Sequence, residues 1–395
     1  MSVIGIVCEF NPFHNGHKYL IDSVKKDGDT VVCVMSGNFV QRGEPAIADK
    51  RIRAKTALLC GADLVIELPV AFSVAGAQTF ARGGVKLLDS LGVVDTLAFG
   101  SECGNIEMLE RTADAIESEQ VNGEIIEILK TGETYAFARE KAVRKIYGGD
   151  LADILHNPND ILAVEYISAL NFLHSKIKPK AVFRKSVLHD STETEGVFAS
   201  ASLIREKMKK GESFKEYLPH NAFEILENAI KNGNAPADYA KLDIAILAFL
   251  RKATAEDFSD VPDVSEGIEN RIIAAARNAT TLSEVFDNAK TKRYTHARIR
   301  RIVLSAFLGI KNSHLACGSP YIRVLGFNDK GRELLHKAVK TASLPITVRL
   351  SDISNLGTNA EQIFQLESTA TDIFNLTLPK IRECGTEMTD NPVVI

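Results

Sequence analysis

The chain has 395 residues, of which 45% are hydrophobic and 25% are charged. This composition is typical of an ordinary globular protein that folds in water, and the length predicts two or three domains. The formal net charge of −4 excludes a protein coated in positive charge, so any contact with nucleic acid must come from local basic patches.

Short apolar runs alternate with amphipathic helical periods over the first hundred residues. The runs VIGIVC, TVVCVM, DLVIEL and TLAFGS are predicted strands, and HKYLIDSVKK, DKRIRAKTALLCG and AQTFARGGVKLLDSLG between them are predicted helices. This alternation predicts βαβ units and a mostly parallel sheet that is buried on both faces. A further strand, KAVFRK (Lys180–Lys185), follows the predicted helix NDILAVEYISALNFLH and precedes a helix that opens at Ser200.

The pattern becomes mainly helical after residues 217–219. The helical periods are YAKLDIAILAFLRK, EGIENRIIAAARNA, TLSEVFDNA, THARIRRIVLSAFLG and NAEQIFQLESTATDIFNL. One strand-like pair, YIRVLGF and PITVRL, surrounds the helix GRELLHKAV. We therefore predict an α/β domain over residues 1–225 and a mainly helical domain over residues 226–395.

Membrane insertion and cysteine-based sites are both disfavoured by the sequence. No apolar run approaches the roughly 18 residues of a membrane helix, and Met1 leads into an apolar strand without a basic leader. We expect no membrane contact and a location in the cytoplasm. The six cysteines form no C-x-x-C pair, and Cys8 and Cys33 lie within predicted strands, so neither a zinc site nor a disulfide framework is expected.

The stretch GIVCEFNPFHNGHKYL (Gly5–Leu20) places two histidines between the first strand and the first helix. Ligands of α/β sheets bind beyond the carboxyl ends of the strands, and a helix N-terminus offers unpaired N–H groups to a phosphate. His14 and His17 would share one face of the first helical turn and could bind oxygens of a triphosphate, while Gly16 would let a nucleotide approach the backbone. A zinc site would need at least a third protein ligand. A further alternative is a capped polar loop that binds nothing.

The strand–loop–HxGH–helix arrangement resembles the HIGH-type nucleotidyltransferase superfamily, to which adenylyltransferases and class I aminoacyl-tRNA synthetases belong. More narrowly, the chain is similar to the bacterial tRNA(Met) cytidine acetate ligase family in seven segments that occur in the same order. These are EFNPFHNGH, VMSGNFVQRGEPA, GADLVIELP, FGSE, PNDILAVEY, EGIENRI and TKRYTHARIRR. The resemblance implies an α/β fold: a Rossmann-like nucleotidyltransferase domain with a parallel sheet, followed by a mainly helical C-terminal domain.

Members of that family activate acetate with ATP as acetyl-adenylate and transfer the acetyl group to the wobble cytidine of elongator tRNA(Met). The resemblance therefore implies ATP, acetate and elongator tRNA(Met) as partners, allows Mg²⁺ beside the ATP, and implies no protein partner. Attack of a carboxylate on the α-phosphorus requires positioned cationic donors rather than a protein nucleophile. In this role His14 and His17 would bind the phosphates of ATP.

The resemblance also implies the further site residues. In ASASLIREKM (Ala199–Met208), Ser200 or Ser202 can cap a helix and Arg205 can reach the same anion, although Ala201 interrupts the superfamily's S-S-T-x-I-R pattern. A simple capped helix with a surface arginine is the alternative. The implied ATP contacts are Val7, Cys8, Glu9, Phe10, Asn11, Pro12, Phe13, His14, Asn15, Gly16, His17, Lys18, Tyr19, Leu20, Gly100, Asn159 and Arg184.

Two other segments are candidates for the remaining substrates. The loop SGNFVQRGEPA follows the second strand on the ligand edge, so Gln41, Arg42 and Glu44 are candidates for the acceptor or acetate, with Arg42 as the carboxylate clamp. An ion pair within the loop explains the same residues equally well. The segment TKRYTHARIRR contains no acid, and its candidates for tRNA phosphate contacts are Lys292, Arg293, Arg298 and Arg301.

Two other functions compete with the ligase. One is an adenylyltransferase that joins AMP to a small phosphorylated metabolite and releases pyrophosphate. The basic run favours the ligase, because a metabolite enzyme has no need of such a surface. The other is a non-catalytic RNA-binding protein with a relict nucleotide site, which the intact HNGH motif disfavours.

Overall fold

The computed structural model describes residues 1–184, 196–348 and 350–395. Within these residues, eight strands form one sheet in the order β10-β8-β5-β2-β1-β6-β7, with β9 also paired to β8, and β3 and β4 form a hairpin. The strands are β1 (Val3–Cys8), β2 (Thr30–Ser36), β3 (Phe39–Val40), β4 (Glu44–Pro45), β5 (Leu64–Leu68), β6 (Thr96–Ser101), β7 (Lys178–Phe183), β8 (Ile322–Phe327), β9 (Ile346–Thr347) and β10 (Val393–Val394).

Helices account for most of the remaining described chain. Before β7 they are α1 (Asn15–Val24), α2 (Lys50–Leu59), α3 (Val70–Ser73), α4 (Ala77–Ser90), α5 (Ile106–Glu117), α6 (Glu119–Leu129), α7 (Tyr135–Tyr147), α8 (Gly149–Ile154) and α9 (Pro158–Phe172). After β7 they are α10 (Ala201–Lys210), α11 (His220–Lys231), α12 (Asp243–Lys252), α13 (Ile268–Asn278), α14 (Leu282–Ala289), α15 (His296–Leu308), α16 (Asn312–Cys317), α17 (Asp329–Ala338), α18 (Thr358–Asn375) and α19 (Thr386–Thr389). Single 3-10 turns occur at Lys215–Tyr217, Tyr239–Leu242, Ala255–Phe258 and Leu350–Leu356. None of the described helices is both long and apolar enough to span a membrane.

The parallel core of the sheet follows the predicted pattern. β1, β2, β5, β6 and β7 pair in parallel, and the apolar runs of β2 and β5 are buried because helices cover both faces. β7 begins two residues before the predicted strand, and Lys185 lies outside the described residues. Its exposed Lys178 and Lys180 suit an edge strand, because charged side chains discourage pairing with another chain.

The C-terminal part of the chain returns to this sheet. β8 lies antiparallel against β5, with Phe327 opposite Leu64, and β10 pairs in parallel with β8. YIRVLGF, whose sequence pattern placed it in the mainly helical part, is therefore a strand of the first sheet. The boundary at residue 225 remains a prediction, but the segment after it contributes strands to the α/β layer.

The hairpin β3–β4 packs against the helical part of the chain. The Phe39 ring is buried, and its centroid lies 6.2 Å from that of Phe374 in α18. Gly43, in the turn, has a φ of +72°, and a Cβ there would lie 2.8 Å from the Arg301 backbone nitrogen in α15. Glycine therefore permits the close approach of the hairpin to α15.

A buried ion network joins four elements beneath the carboxyl edge of the sheet. Lys50 of α2 binds Glu67 of β5 and lies 2.7 Å from Glu387 of α19, and Arg323 of β8 pairs with both carboxylates. The four side chains are almost completely buried, so each charge depends on its partners for compensation. Through Glu387, the network attaches helix α19 to α2 and to strand β8 of the central sheet.

Candidate active site

A cavity of about 560 Å³ opens at the carboxyl edge of the sheet, large enough for a small-molecule substrate. It lies where the sequence placed a ligand, beyond the ends of parallel strands. Its walls come from the loop after β1, the β3–β4 hairpin, the end of β6, the first residues of α9, Arg184 after β7, the start of α10 and the start of α15.

The two histidines of the HNGH motif cap helix α1 together. His14 is the N-cap residue, and its Nδ1 accepts a hydrogen bond from the Gly16 N–H at 3.0 Å. His17 Nδ1 accepts in return from the His14 N–H at 3.2 Å. This is a capping box in which imidazoles replace the usual hydroxyl and carboxylate. The two rings stack with centroids 3.8 Å apart and planes inclined by 25°.

The capping bonds determine the tautomer of both rings. An Nδ1 that accepts a hydrogen bond carries no proton, so each neutral ring carries its proton on Nε2 and offers one N–H donor there. Burial lowers the pKa of His17 well below its usual value, and His14 and Arg184 lower it further. His17 therefore supplies a hydrogen bond rather than positive charge, and the arginines of the cavity supply positive charge.

Gly16 makes room for the His14 ring. A Cβ at this position would lie 2.8 Å from His14 Cε1 and 3.0 Å from His14 Nδ1. The sequence had indicated that Gly16 clears space for a nucleotide; the structure adds that it clears space for the histidine itself. Any larger residue would displace the ring that caps the helix.

Arg205 and Arg42 meet at Ser202 on the cavity wall. Arg205 donates through Nη1 to the Asn11 carbonyl at 2.9 Å, and its Nη2 contacts Glu44 Oε1 at 3.2 Å and Ser202 Oγ at 3.5 Å. Arg42 Nη1 also donates to Ser202 Oγ at 3.5 Å. The neighbouring Ser200 accepts from the Leu203 N–H at 3.1 Å and is the N-cap of α10. The two candidate hydroxyls are thus distinguished: Ser200 caps the helix, and Ser202 contacts both guanidinium groups.

Arg184 is oriented by a chain of polar groups. Its Nη1 donates to Asn159 Oδ1 at 3.3 Å, and Asn159 Nδ2 donates to Glu102 Oε1. Glu102 also accepts from the Asp160 N–H at 2.9 Å. Burial lowers the pKa of Arg184, but an arginine remains charged at physiological pH. Glu102 was not singled out from the sequence, although its place just after the strand that ends at Ser101 was a usable signal.

The other predicted ATP contacts divide into three groups, and their roles remain predictions. Val7, Cys8, Glu9, Phe10, Asn11, Leu20 and Gly100 line the main cavity with His14 and His17. Tyr19 and Gly16 line an adjoining recess of about 60 Å³. The third group, Pro12, Phe13, Asn15 and Lys18, does not line the cavity. Pro12 and Phe13 face a separate small pocket. Asn15 donates to the Val197 and Glu216 carbonyls, and Lys18 pairs with Asp22.

The first half of the basic segment is exposed but paired. Lys292 is 79% exposed at its side chain, and its Nζ lies 3.0 Å from a Glu133 carboxylate oxygen. Arg293 pairs with Glu266 at 2.8 Å. Although TKRYTHARIRR contains no acid, the fold brings acids to it from two distant segments.

The second half of the basic segment divides between the surface and the cavity. Arg298 Nη2 donates to the Asp263 carbonyl at 2.9 Å and to Ser265 Oγ at 2.8 Å. Arg301 lines the cavity, and its Nε lies 3.2 Å from Asp263 Oδ2. Arg301 is therefore placed beside the candidate active site and not on an outer face of α15.

Sequence comparison identifies the family of the chain. The family model described as HIGH Nucleotidyl Transferase matches residues 1–388. A curated tRNA(Met) cytidine acetate ligase from Thermoanaerobacter sp. (strain X514) is 40% identical over 385 residues, 95% of each chain. A protein of the same name from Acetivibrio thermocellus is 37% identical over 415 residues that cover both chains completely.

Solved structures give the same result. The crystal structure of Thermotoga maritima TmcAL in its apo form I matches with a TM-score of 0.94 at 34% identity, with full coverage of both chains. The form II structure of that protein bound with alpha-thio ATP matches with a TM-score of 0.93 at 34% identity, also with full coverage. The chain thus belongs to the HIGH nucleotidyl transferase family and, within it, to the family of the tRNA(Met) cytidine acetate ligases.

Proposed function

We propose that this protein activates acetate with ATP as acetyl-adenylate and transfers the acetyl group to the wobble cytidine of elongator tRNA(Met), which yields N4-acetylcytidine. The observation that carries the proposal is the cavity in which the stacked pair His14 and His17 is combined with Arg42, Arg184 and Arg205. The alpha-thio ATP bound to the Thermotoga maritima relative supports ATP as the occupant. We further propose that the reaction takes place in the cytoplasm.

The first step is attack of the acetate carboxylate on the α-phosphorus of ATP. Negative charge grows on the phosphoryl oxygens and on the departing pyrophosphate, and preorganised donors stabilise it. The Nε2–H groups of His14 and His17 would hydrogen-bond these oxygens, while Arg184 and Arg205 supply positive charge. Mg²⁺ that accompanies ATP would be held mainly by the phosphates and water, because Mg²⁺ at nucleotide sites takes few protein ligands.

The second step is attack of the cytidine amine on the acetyl carbonyl, with AMP as the leaving group. The hairpin β3–β4 and the start of α15 both line the cavity, so the helical part of the chain forms one wall of the site. We propose that the tRNA approaches along this wall. The basic residues at the start of α15 then lie between the anticodon loop and the cavity.

The function is tested by pyrophosphate exchange followed by nucleoside analysis. Purified protein is incubated with ATP, labelled pyrophosphate and acetate, and the expected result is exchange that depends on acetate. Addition of elongator tRNA(Met) should then produce N4-acetylcytidine in the hydrolysed tRNA. Exchange that ignores acetate but responds to a phosphorylated metabolite would favour an adenylyltransferase instead. The absence of exchange with every acceptor would favour a non-catalytic RNA-binding protein.

Arg42 is proposed as the acetate clamp, because its guanidinium lines the cavity beside Ser202. Loss of a charge-assisted hydrogen bond costs roughly 1.5–3 kcal/mol. Arg42→Ala should therefore raise the KM for acetate by about 10- to 100-fold in the exchange assay while changing the KM for ATP much less. Arg111→Ala removes an exposed arginine of α5 and serves as the control. An unchanged KM for acetate in Arg42→Ala would remove Arg42 from the acetate site.

The tRNA contact is proposed for the exposed Lys292 and the half-buried Arg293 and Arg298 of the basic segment. Arg301 is left out of the test because it lines the cavity. Lys292→Glu combined with Arg298→Glu should weaken tRNA binding and lower the salt dependence of the affinity by about one unit of slope per lost phosphate contact. Acetate-dependent exchange should persist, and Lys252→Glu, on exposed α12, is the matched control. Full tRNA affinity in the double variant would place the tRNA elsewhere.

A further inference from the structure

Glu9 places a carboxylate inside a cavity that is otherwise equipped for anions. It directly follows β1, and its side chain lines the cavity. Its Oε1 accepts a hydrogen bond from the Gln41 N–H at 2.7 Å, and the described residues provide no other hydrogen bond to this side chain. The second oxygen is thus open to a ligand. A carboxylate near a triphosphate is repelled by the phosphate charges. Its presence in the cavity therefore indicates a chemical role.

The backbone around Glu9 is held in an unusual conformation. Phe10 has a φ of +46°, in the left-handed region that a bulky residue rarely adopts. Arg53 donates to the Glu9 carbonyl at 2.6 Å, and Arg205 donates to the Asn11 carbonyl at 2.9 Å. Strained backbone that is fixed from two sides is typical of functional sites. The position of the Glu9 carboxylate is therefore set by the surrounding structure.

The pKa of Glu9 is set by burial and by polar and charged groups from several surrounding elements. Burial raises the pKa of the Glu9 carboxyl, the bond from the Gln41 N–H and the charge of Arg205 lower it, Glu44 raises it and Arg53 lowers it, with a net increase. The hydroxyl of Tyr166, which lines the cavity and is 5% exposed, forms no hydrogen bond within the described chain. Burial, with Cys8 and Glu9 nearby, raises the pKa of Tyr166, so this hydroxyl keeps its proton.

Acetyl transfer to an amine requires a proton acceptor. A C–N bond forms between the amine nitrogen and the acetyl carbon, the bond from that carbon to the AMP oxygen breaks, and AMP leaves with the electron pair. The nitrogen starts neutral with two hydrogens and must lose one of them. A positioned base contributes typically 10²- to 10⁴-fold to such a step.

The described groups of the cavity leave one suitable acceptor. In each histidine Nδ1 accepts a backbone N–H and Nε2 already carries the proton. Tyr166 is protonated, and the arginines cannot accept a proton. Glu44, the other carboxylate of the lining, pairs with Arg205 at 3.2 Å and with Arg300 at 3.8 Å. Glu9 remains, with one oxygen open and a pKa that burial raises above its usual value.

We propose that the Glu9 carboxylate takes the proton from the exocyclic amine of the acceptor base during acetyl transfer. This role rests on the proposed function, because it concerns the second half of that reaction. The first half, formation of the acetyl-adenylate, involves no amine and needs no base. A change at Glu9 should therefore affect acetyl transfer and not acetyl-adenylate formation, and the two half-reactions can be measured separately.

The variant Glu9→Gln tests this role. Its amide oxygen can still accept from the Gln41 N–H, so the loop keeps its support, but the amide cannot take a proton. Acetyl transfer from enzyme-bound acetyl-adenylate to an elongator tRNA(Met) transcript, in a single turnover, should fall by roughly 100-fold or more. Acetate-dependent pyrophosphate exchange should fall by less than about tenfold. Glu224→Gln, which changes an exposed carboxylate of α11 to an amide, is the matched control.

The pH profile provides a readout that a merely structural role would not move. The wild-type transfer rate should decline as the pH falls through the raised pKa of Glu9, because the protonated carboxyl cannot accept another proton. Glu9→Gln should lack this acidic limb. Transfer within about threefold of wild type, an unchanged acidic limb, or equal losses of exchange and transfer would each overturn the proposal. Absence of acetate-dependent exchange in the wild type would instead overturn the proposed function.

Discussion

Replacement of both motif histidines by an ordinary capping pair, His14→Ser with His17→Gln, should abolish acetate activation while leaving the fold intact. Serine at the N-cap and glutamine at the third helical position form the usual capping box, so the N–H groups of Gly16 and residue 14 keep their acceptors. What disappears is the pair of Nε2–H donors. Removal of one donor to a developing oxyanion costs about 10²- to 10³-fold, so loss of both should lower the exchange rate by at least roughly 100-fold.

The measurement combines acetate-dependent pyrophosphate exchange with thermal unfolding followed by circular dichroism. The Tm of the double variant should stay within about 4 °C of wild type, since a change of about 1 kcal/mol shifts the Tm of a protein of this size by no more than that. His14→Ala is the informative contrast, because it removes the cap and the donor together and should lower the Tm as well. A folded double variant that exchanges within tenfold of wild type would show that the imidazoles do not bind the triphosphate.

Arg53→Ala should destabilise the protein by about 3 kcal/mol or more. Arg53 is 3% exposed, and its guanidinium donates to the Ala48 carbonyl at 2.9 Å, the Glu9 carbonyl at 2.6 Å, the Ser36 carbonyl at 3.2 Å and the Gly37 carbonyl. Removal of the side chain leaves buried acceptors without partners, at a cost of roughly 1–3 kcal/mol for each group that water cannot reach. Lysine is no substitute, because a single ammonium cannot span acceptors arranged around a planar fork.

Urea unfolding monitored by circular dichroism measures this loss, and Lys55→Ala is the matched control. Lys55 lies on the exposed side of the same helix α2, so its removal should change the free energy of unfolding by no more than about 0.5 kcal/mol. Because Arg53 also holds the Glu9 carbonyl, any Arg53→Ala protein that remains folded should lose more of its acetyl transfer to tRNA than of its acetate-dependent exchange. A variant as stable and active as wild type would mean that water replaces the guanidinium at these carbonyls.

Local sequence patterns predicted the parallel strands well, and the cavity lies at the edge of the sheet that they indicated, because both features depend on short-range physics. Continuous apolar runs specify buried parallel strands, and a polar motif between a strand and a helix specifies a site at their junction. The antiparallel return of β8 was not predictable, because a buried apolar run such as YIRVLGF carries no information about its partner. Pairing is decided by packing across the whole fold.

The side-chain chemistry of the site was predicted in part. The residue types of HNGH indicated phosphate binding, but their mutual capping bonds, which set the tautomer, depend on geometry that spacing alone does not determine. The basic segment contains no acid of its own, yet Glu133, Glu266 and Asp263 approach it from elsewhere in the chain. Ion pairs between distant segments are invisible to any reading of consecutive residues.

The antiparallel ladder between β5 and β8 also constrains how the enzyme can be made. The ribosome releases β5 early, but its partner β8 emerges only after Phe327 has been synthesised, and the Val393–Val394 strand follows later still. During that interval the backbone N–H and C=O groups on one side of β5 are unpaired, and such an open strand edge is prone to aggregation. A truncation that removes β8 would therefore leave the α/β layer incomplete, although every residue of the parallel strands is still present.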